Sequence, residues 1–204
     1  MDRLITAMRR PKAIILCILL GGYVLFSFLS MIAFGNFGSV GSLFSFLVLI
    51  ALLGALIVAI FLKLDKVVNV LGIAIFAYWA LDMALSHLPG YVDMCFSVNL
   101  DTNGAWAAII SGVFFLLAFL AALAVLVLFV LSLFIPALAG NRVVKLVGRI
   151  LMLAFLGCFV VSKLFFFIGI CIWGYGWGNH MSLIADLFMG CAVFYGYFLI
   201  VDRD

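Results

Sequence analysis

Residues 105–135 read AWAAIISGVFFLLAFLAALAVLVLFVLSLFI, an apolar run with no charged residue and only Ser111 and Ser132 as hydroxyl side chains. About 20 apolar residues are enough to carry a helix across roughly 30 Å of hydrocarbon. At 1.5 Å per residue this run would reach about 46 Å as a helix, so it tilts or projects into the interface before Pro136. Five further stretches have the length and composition of a span. They lie near residues 13–34, 42–62, 67–88, 150–173 and 180–201. The expected fold is therefore an all-α integral membrane protein, a single membrane domain over residues 1–204 built as a bundle of about six transmembrane helices.

Composition agrees with that reading. The 204 residues are 70% hydrophobic and 9% charged, far from the roughly 45–50% apolar and 25% charged of soluble domains. No Glu and no Gln occur, and all eight acidic residues are Asp. Every site that requires a glutamate is thereby excluded, including HExxH zinc sites, Glu-x-x-His di-iron sites and paired-Glu glycosidases. Breaks between the spans are marked by Gly35-Asn36-Phe37-Gly38, Lys63-Leu64-Asp65-Lys66, Pro89-Gly90, Ala139-Gly140-Asn141-Arg142 and the glycines from 174 to 178. Pro89 is read as opening the longest loop, which runs to Gly104.

Orientation follows from the bases, which accumulate on the cytoplasmic side of a membrane. Arg3, Arg9, Arg10 and Lys12 precede the first span, and Lys63 and Lys66 separate the second from the third. Arg142, Lys145 and Arg149 lie between the fourth and fifth, and Arg203 follows the sixth. All ten fall on one face of a six-span arrangement, which places both termini in the cytoplasm. The first apolar run is too long for a secretory signal and lacks a small-residue cleavage site, so it is read as an uncleaved span. Residues 2–10 carry Leu4, Ile5 and Met8 on one side, consistent with a short interfacial helix ahead of Pro11.

Three ionisable residues lie inside spans: Asp82, Lys163 and Asp186. Each costs roughly 2.5–3.5 kcal/mol on insertion, so each needs a partner or a purpose. Asp82 and Asp186 each lie about 9 Å from the outer end of their helix, and the long stem of Lys163 can reach outward to that depth. Tyr78, Asp82 and Ser86 fall at successive i+4 positions and form a polar stripe. His87 and His180 flank the same level. These seven residues are the candidate intramembrane polar or ion site. Two carboxylates sharing one ammonium would leave one able to exchange a proton; the alternative is an ion pair that only fixes helix register.

Other chemistry finds little support. The five cysteines show no CxxC pair, and neither aspartate follows the Gly-x-Gly of an intramembrane aspartyl protease. Gly174-Tyr175-Gly176 lacks the Thr-Val that precedes it in a potassium filter and is read as a turn in an aromatic belt. No metal site, catalytic residue or cofactor is expected. A match at an offset of 76 residues, Lys66-Val67-Val68-Asn69-Val70-Leu71-Gly72 over Arg142-Val143-Val144-Lys145-Leu146-Val147-Gly148, raises a parallel repeat of the hairpins 42–88 and 118–164. The function expected is that of a non-enzymatic polytopic membrane protein, a packing or accessory subunit of a membrane assembly. A small ion- or proton-coupled transporter using Asp82, Lys163 and Asp186 is the alternative. The expected partners are the lipid bilayer and other membrane proteins, with no role for nucleic acid.

Overall fold

A computed structural model describes residues 2–35, 40–62, 64–96, 102–135, 138 and 141–200. Among these residues the fold is all-α. The helices are α1 (Asp2–Phe34), α2 (Val40–Phe61), α3 (Asp65–Asp82), a π-helical turn (Met83–His87), α4 (Leu88–Phe96), α5 (Ala105–Phe134), α6 (Arg142–Trp173) and α7 (Trp177–Ile200). Four helices are long and apolar enough to cross a membrane, over Ile14–Phe34, Ala105–Leu131, Arg142–Trp173 and Trp177–Phe198. Apolar cores of shorter length run over Phe46–Ala59 and Val70–Leu85. The chain is an integral membrane protein by this measure.

Two boundaries differ from the sequence reading. Helix α1 runs unbroken through Pro11, so residues 2–10 are not a separate interfacial element. Pro89 does not open a loop; helical structure continues to Phe96. The π turn supplies the reason. A proline inside an α-helix lacks its N–H and clashes with the carbonyl four residues back. Here the N–H of Leu88 bonds the carbonyl of Met83, five residues back, which re-registers the helix just before Pro89. Pro89 then occupies the second position of α4, where an early-turn N–H is dispensable.

The chain divides into two compact units, Met1–Ile75 with Gly176–Asp204, and Phe76–Tyr175. In the first, α1 and α7 pack closely and antiparallel, with Gly22 and Phe26 against Phe188 at one level and Ser30 against Gly178 at another. Leu16, Leu20 and Ser30 of α1 are buried, as are Leu183, Ala185, Met189 and Ala192 of α7. Gly190 is also buried, so the α7 face that carries it meets protein rather than lipid.

In the second unit α5 and α6 form an antiparallel seam, closed at one end by Trp173 on Asn103 and pinned further along by Ser111 and Ser162. Buried positions of α6 at Gly148, Met152, Phe155, Phe159, Ser162 and Gly169 recur at intervals of three and four, with a single skipped turn, the repeat that keeps one helix face against a neighbour, and Lys163 and Ile170 are buried beside the last two. Ala108, Ser111, Phe115, Ala118, Ala122 and Val125 supply the matching stripe of α5.

Candidate functional site

Among the described residues, the most deeply buried charge lies in the second unit. Lys163 is 2% exposed. Its position on α6 follows from the seam: Phe159, Ser162 and Lys163 all lie on the face turned toward α5, so the lysine stem is driven inward. The ammonium donates to the hydroxyl oxygen of Tyr91 at 3.0 Å. Four aromatic rings surround it, with Nζ 5.4 Å from the centroid of Tyr91, 5.6 Å from Phe115, 5.3 Å from Phe159 and 5.7 Å from Phe166. A desolvated cation–π contact is worth on the order of 1–2 kcal/mol. Several such contacts and a charge-assisted hydrogen bond offset much of the insertion cost of a lysine, roughly 2.5–3.5 kcal/mol.

The cage is itself locked. Tyr91 is buried and lies face to face on Phe115, with ring centroids 3.9 Å apart and planes 10° from parallel. Its helix, α4, can approach α5 because Gly112 has no side chain: a Cβ there would collide with Cys95 Sγ and stand 2.9 Å from the Tyr91 carbonyl oxygen. One residue along α6, Ser162 donates its hydroxyl to the Ser111 carbonyl at 2.8 Å. That proton is then committed, so the 3.4 Å contact between the two hydroxyl oxygens has Ser111 as donor. Trp79 of α3 closes the inner wall, edge-on to Phe155 and Phe159 at 5.5 and 6.4 Å.

The residues expected to form one polar site are distributed as follows. Tyr78, Asp82, His87 and Lys163 belong to the second unit, and His180 and Asp186 to the first. Tyr78, Asp82 and His87 are half-buried, and Asp82 immediately precedes the π turn. The side chain of Ser86 lies outside the described residues. Asp186 is half-buried on α7, and His180 lies in the first turn of that helix, with Nδ1 3.3 Å from the Gly176 carbonyl oxygen. Among the described residues, no group of three or more His, Cys, Asp or Glu is arranged to hold a metal ion.

Tyr91, Ser111 and Ser162 take part in the buried polar cluster and were not singled out from the sequence. The signal was present for Tyr91: Trp79, Met83, Tyr91 and Cys95 fall on multiples of four residues, a stripe that Pro89-Gly90 obscures. The fourth span, read as almost free of polar atoms, contributes fully buried Ser111.

Chemically, the arrangement holds a fixed positive charge in an aromatic shell with almost no solvent access. It can pin three helical segments in one register. No family model, curated protein or solved structure matches the chain.

Proposed function

We propose that this protein is a non-enzymatic, multi-pass accessory subunit that acts by packing within a membrane assembly. Six spans with both termini cytoplasmic is the topology that goes with this reading. Four long apolar helices are supplemented by the apolar stretches of α2 and α3, and with six spans the ten bases of the terminal and connecting segments would fall on one side. The observation that carries the reading is the commitment of Lys163. The most buried charge among the described residues is held internally, with Tyr91 and three phenylalanine rings around it, and is 2% exposed. A carrier needs its charged group reachable from one side of the membrane in turn; a structural pin needs it enclosed.

The outer faces suit lateral packing. Phe44, Leu47 and Val58 of α2 are exposed, as are Ile18, Leu25 and Ile32 of α1. Such rows are at home against lipid or against another membrane helix. The test is extraction of the full chain from its own membrane into polymer-bounded lipid discs, followed by native mass spectrometry. A larger assembly of fixed stoichiometry is expected. A chain that leaves the membrane intact and alone would overturn the proposal. Reporter fusions to both termini check the topology, and a reporter on the outer side would overturn it. Proton flux that is lost on Asp82→Asn or Asp186→Asn would replace packing by ion-coupled transport.

A further inference from the structure

Helix α6 begins with three bases, Arg142, Lys145 and Arg149, at spacings of three and four residues. At 100° per residue these fall within an arc of roughly 60° on one flank of the helix. Directly alongside, and continuing deeper into the apolar part of the helix, run Leu146, Ile150 and Leu153, which are 55%, 55% and 58% exposed. One strip of surface therefore changes along its length from cationic to bare hydrocarbon. No acidic residue occurs from Thr102 through Ala185, so the α5–α6 hairpin carries these cations and no carboxylate.

We infer that this strip docks an anionic phospholipid, with its phosphate-bearing headgroup on Arg142, Lys145 and Arg149 and an acyl chain along Leu146, Ile150 and Leu153. The occupant follows from complementarity along the strip. The basic end is complementary to negative charge at headgroup level, and the apolar end to a hydrocarbon chain covalently tied to that charge. A zwitterionic lipid satisfies only the second requirement, and a free anion only the first. Arg149 begins about 10 Å further along the helix than Arg142, and its stem can return the guanidinium to headgroup level. Each base near the surface raises affinity for anionic lipid about fivefold, an effect that weakens as salt shortens the Debye length.

The test uses the full chain reconstituted in phosphatidylcholine bilayers with a trace of spin-labelled phosphatidylglycerol or, separately, spin-labelled phosphatidylcholine. Electron paramagnetic resonance reads the share of each label held motionally restricted by the protein. The wild-type chain is expected to prefer phosphatidylglycerol at least fivefold at low ionic strength, with the preference falling at high salt. R142Q/K145Q/R149Q should cut the preference sharply, whereas R3Q/R9Q/R10Q should lower it less. Should the α6 triple variant fail to reconstitute, Arg142→Gln alone, on the exposed first residue of the helix, should lower the preference. An absent preference in the wild type, one that survives the α6 substitutions, or one that is lost with Arg3, Arg9 and Arg10 would overturn the inference.

Discussion

The α1–α7 pair and the α5–α6 pair solve the same problem by different means. Between membrane helices no hydrophobic force favours helix over lipid, so association rests on close packing and on polar contacts. The first pair relies on smallness. Gly22 lies under the Phe188 ring, Gly178 lies under Ala33 and Phe34, and Phe26 stacks on Phe188 at 5.5 Å. One buried polar contact in it is Ser30 donating to the Gly178 carbonyl at 3.3 Å. The second pair is built around a charge, with Lys163 inside an aromatic shell and a serine pair beside it. A glycine contact holds two backbones close but tolerates sliding. A caged ammonium bonded to a hydroxyl fixes register, because a shift of one residue removes it from its rings.

Substitution at Lys163 should separate these two modes with the largest effect. Lys163→Ala empties the cage, and large-to-small changes in a packed core cost about 2–5 kcal/mol. Lys163→Met keeps the volume, gives sulfur–aromatic contacts and removes the charge, so it is expected to lie within about 1 kcal/mol of the wild type. Reversible unfolding of the purified chain in mixed detergent–dodecyl sulfate micelles, followed by tryptophan fluorescence, measures both. Equal loss in the two variants would mean that the charge itself, not the filled cage, carries the stability. No loss in Lys163→Ala would remove the pin altogether.

Gly22→Ala is the corresponding test of the small-residue mode. A Cβ at Gly22 would overlap the Phe188 ring, which must swing out and break its stack on Phe26. Overpacking of this kind costs about 1–3 kcal/mol. Because the contact ties only α1 to α7, the loss should be additive with Lys163→Ala. Strong non-additivity in the same unfolding assay would break the comparison by showing that the two pairs do not act independently.

Much of this was readable from residue types. The apolar runs located the helices, because 20 uncharged residues leave few other fates, and insertion cost singled out Lys163 among the bases. The acceptor was harder to find. Tyr91 follows Pro89-Gly90, a dipeptide that ends most helices, and only the i→i−5 bond between Leu88 and Met83 lets the chain continue past it. A π turn leaves no composition signature. Ser111 and Ser162 were invisible for another reason: a serine in an apolar helix can satisfy itself on its own backbone, so only the facing helix shows that its bond crosses the seam. Asp82, Asp186 and the histidines were legible as costly residues, but cost alone does not say which neighbour repays it.

The smallest effect is expected at the serines, and its size decides how much of the second seam is polar. Ser162→Ala removes the donor to the Ser111 carbonyl and the acceptor for its hydroxyl. Hydrogen bonds between membrane helices average about 0.6 kcal/mol, because the freed groups find other partners within their own helices. Ser111 can do this by turning its hydroxyl back to the preceding turn. Ser162→Ala is therefore expected to cost well under the loss at Lys163→Ala. Gly54→Ala, where an added Cβ meets nothing within 4 Å, sets the baseline at about zero. A Ser162→Ala loss as large as that of Lys163→Ala would shift the weight of the seam from the caged cation to the serine pair. The two would then act as a single network, and a Lys163→Met, Ser162→Ala double variant would reveal the coupling.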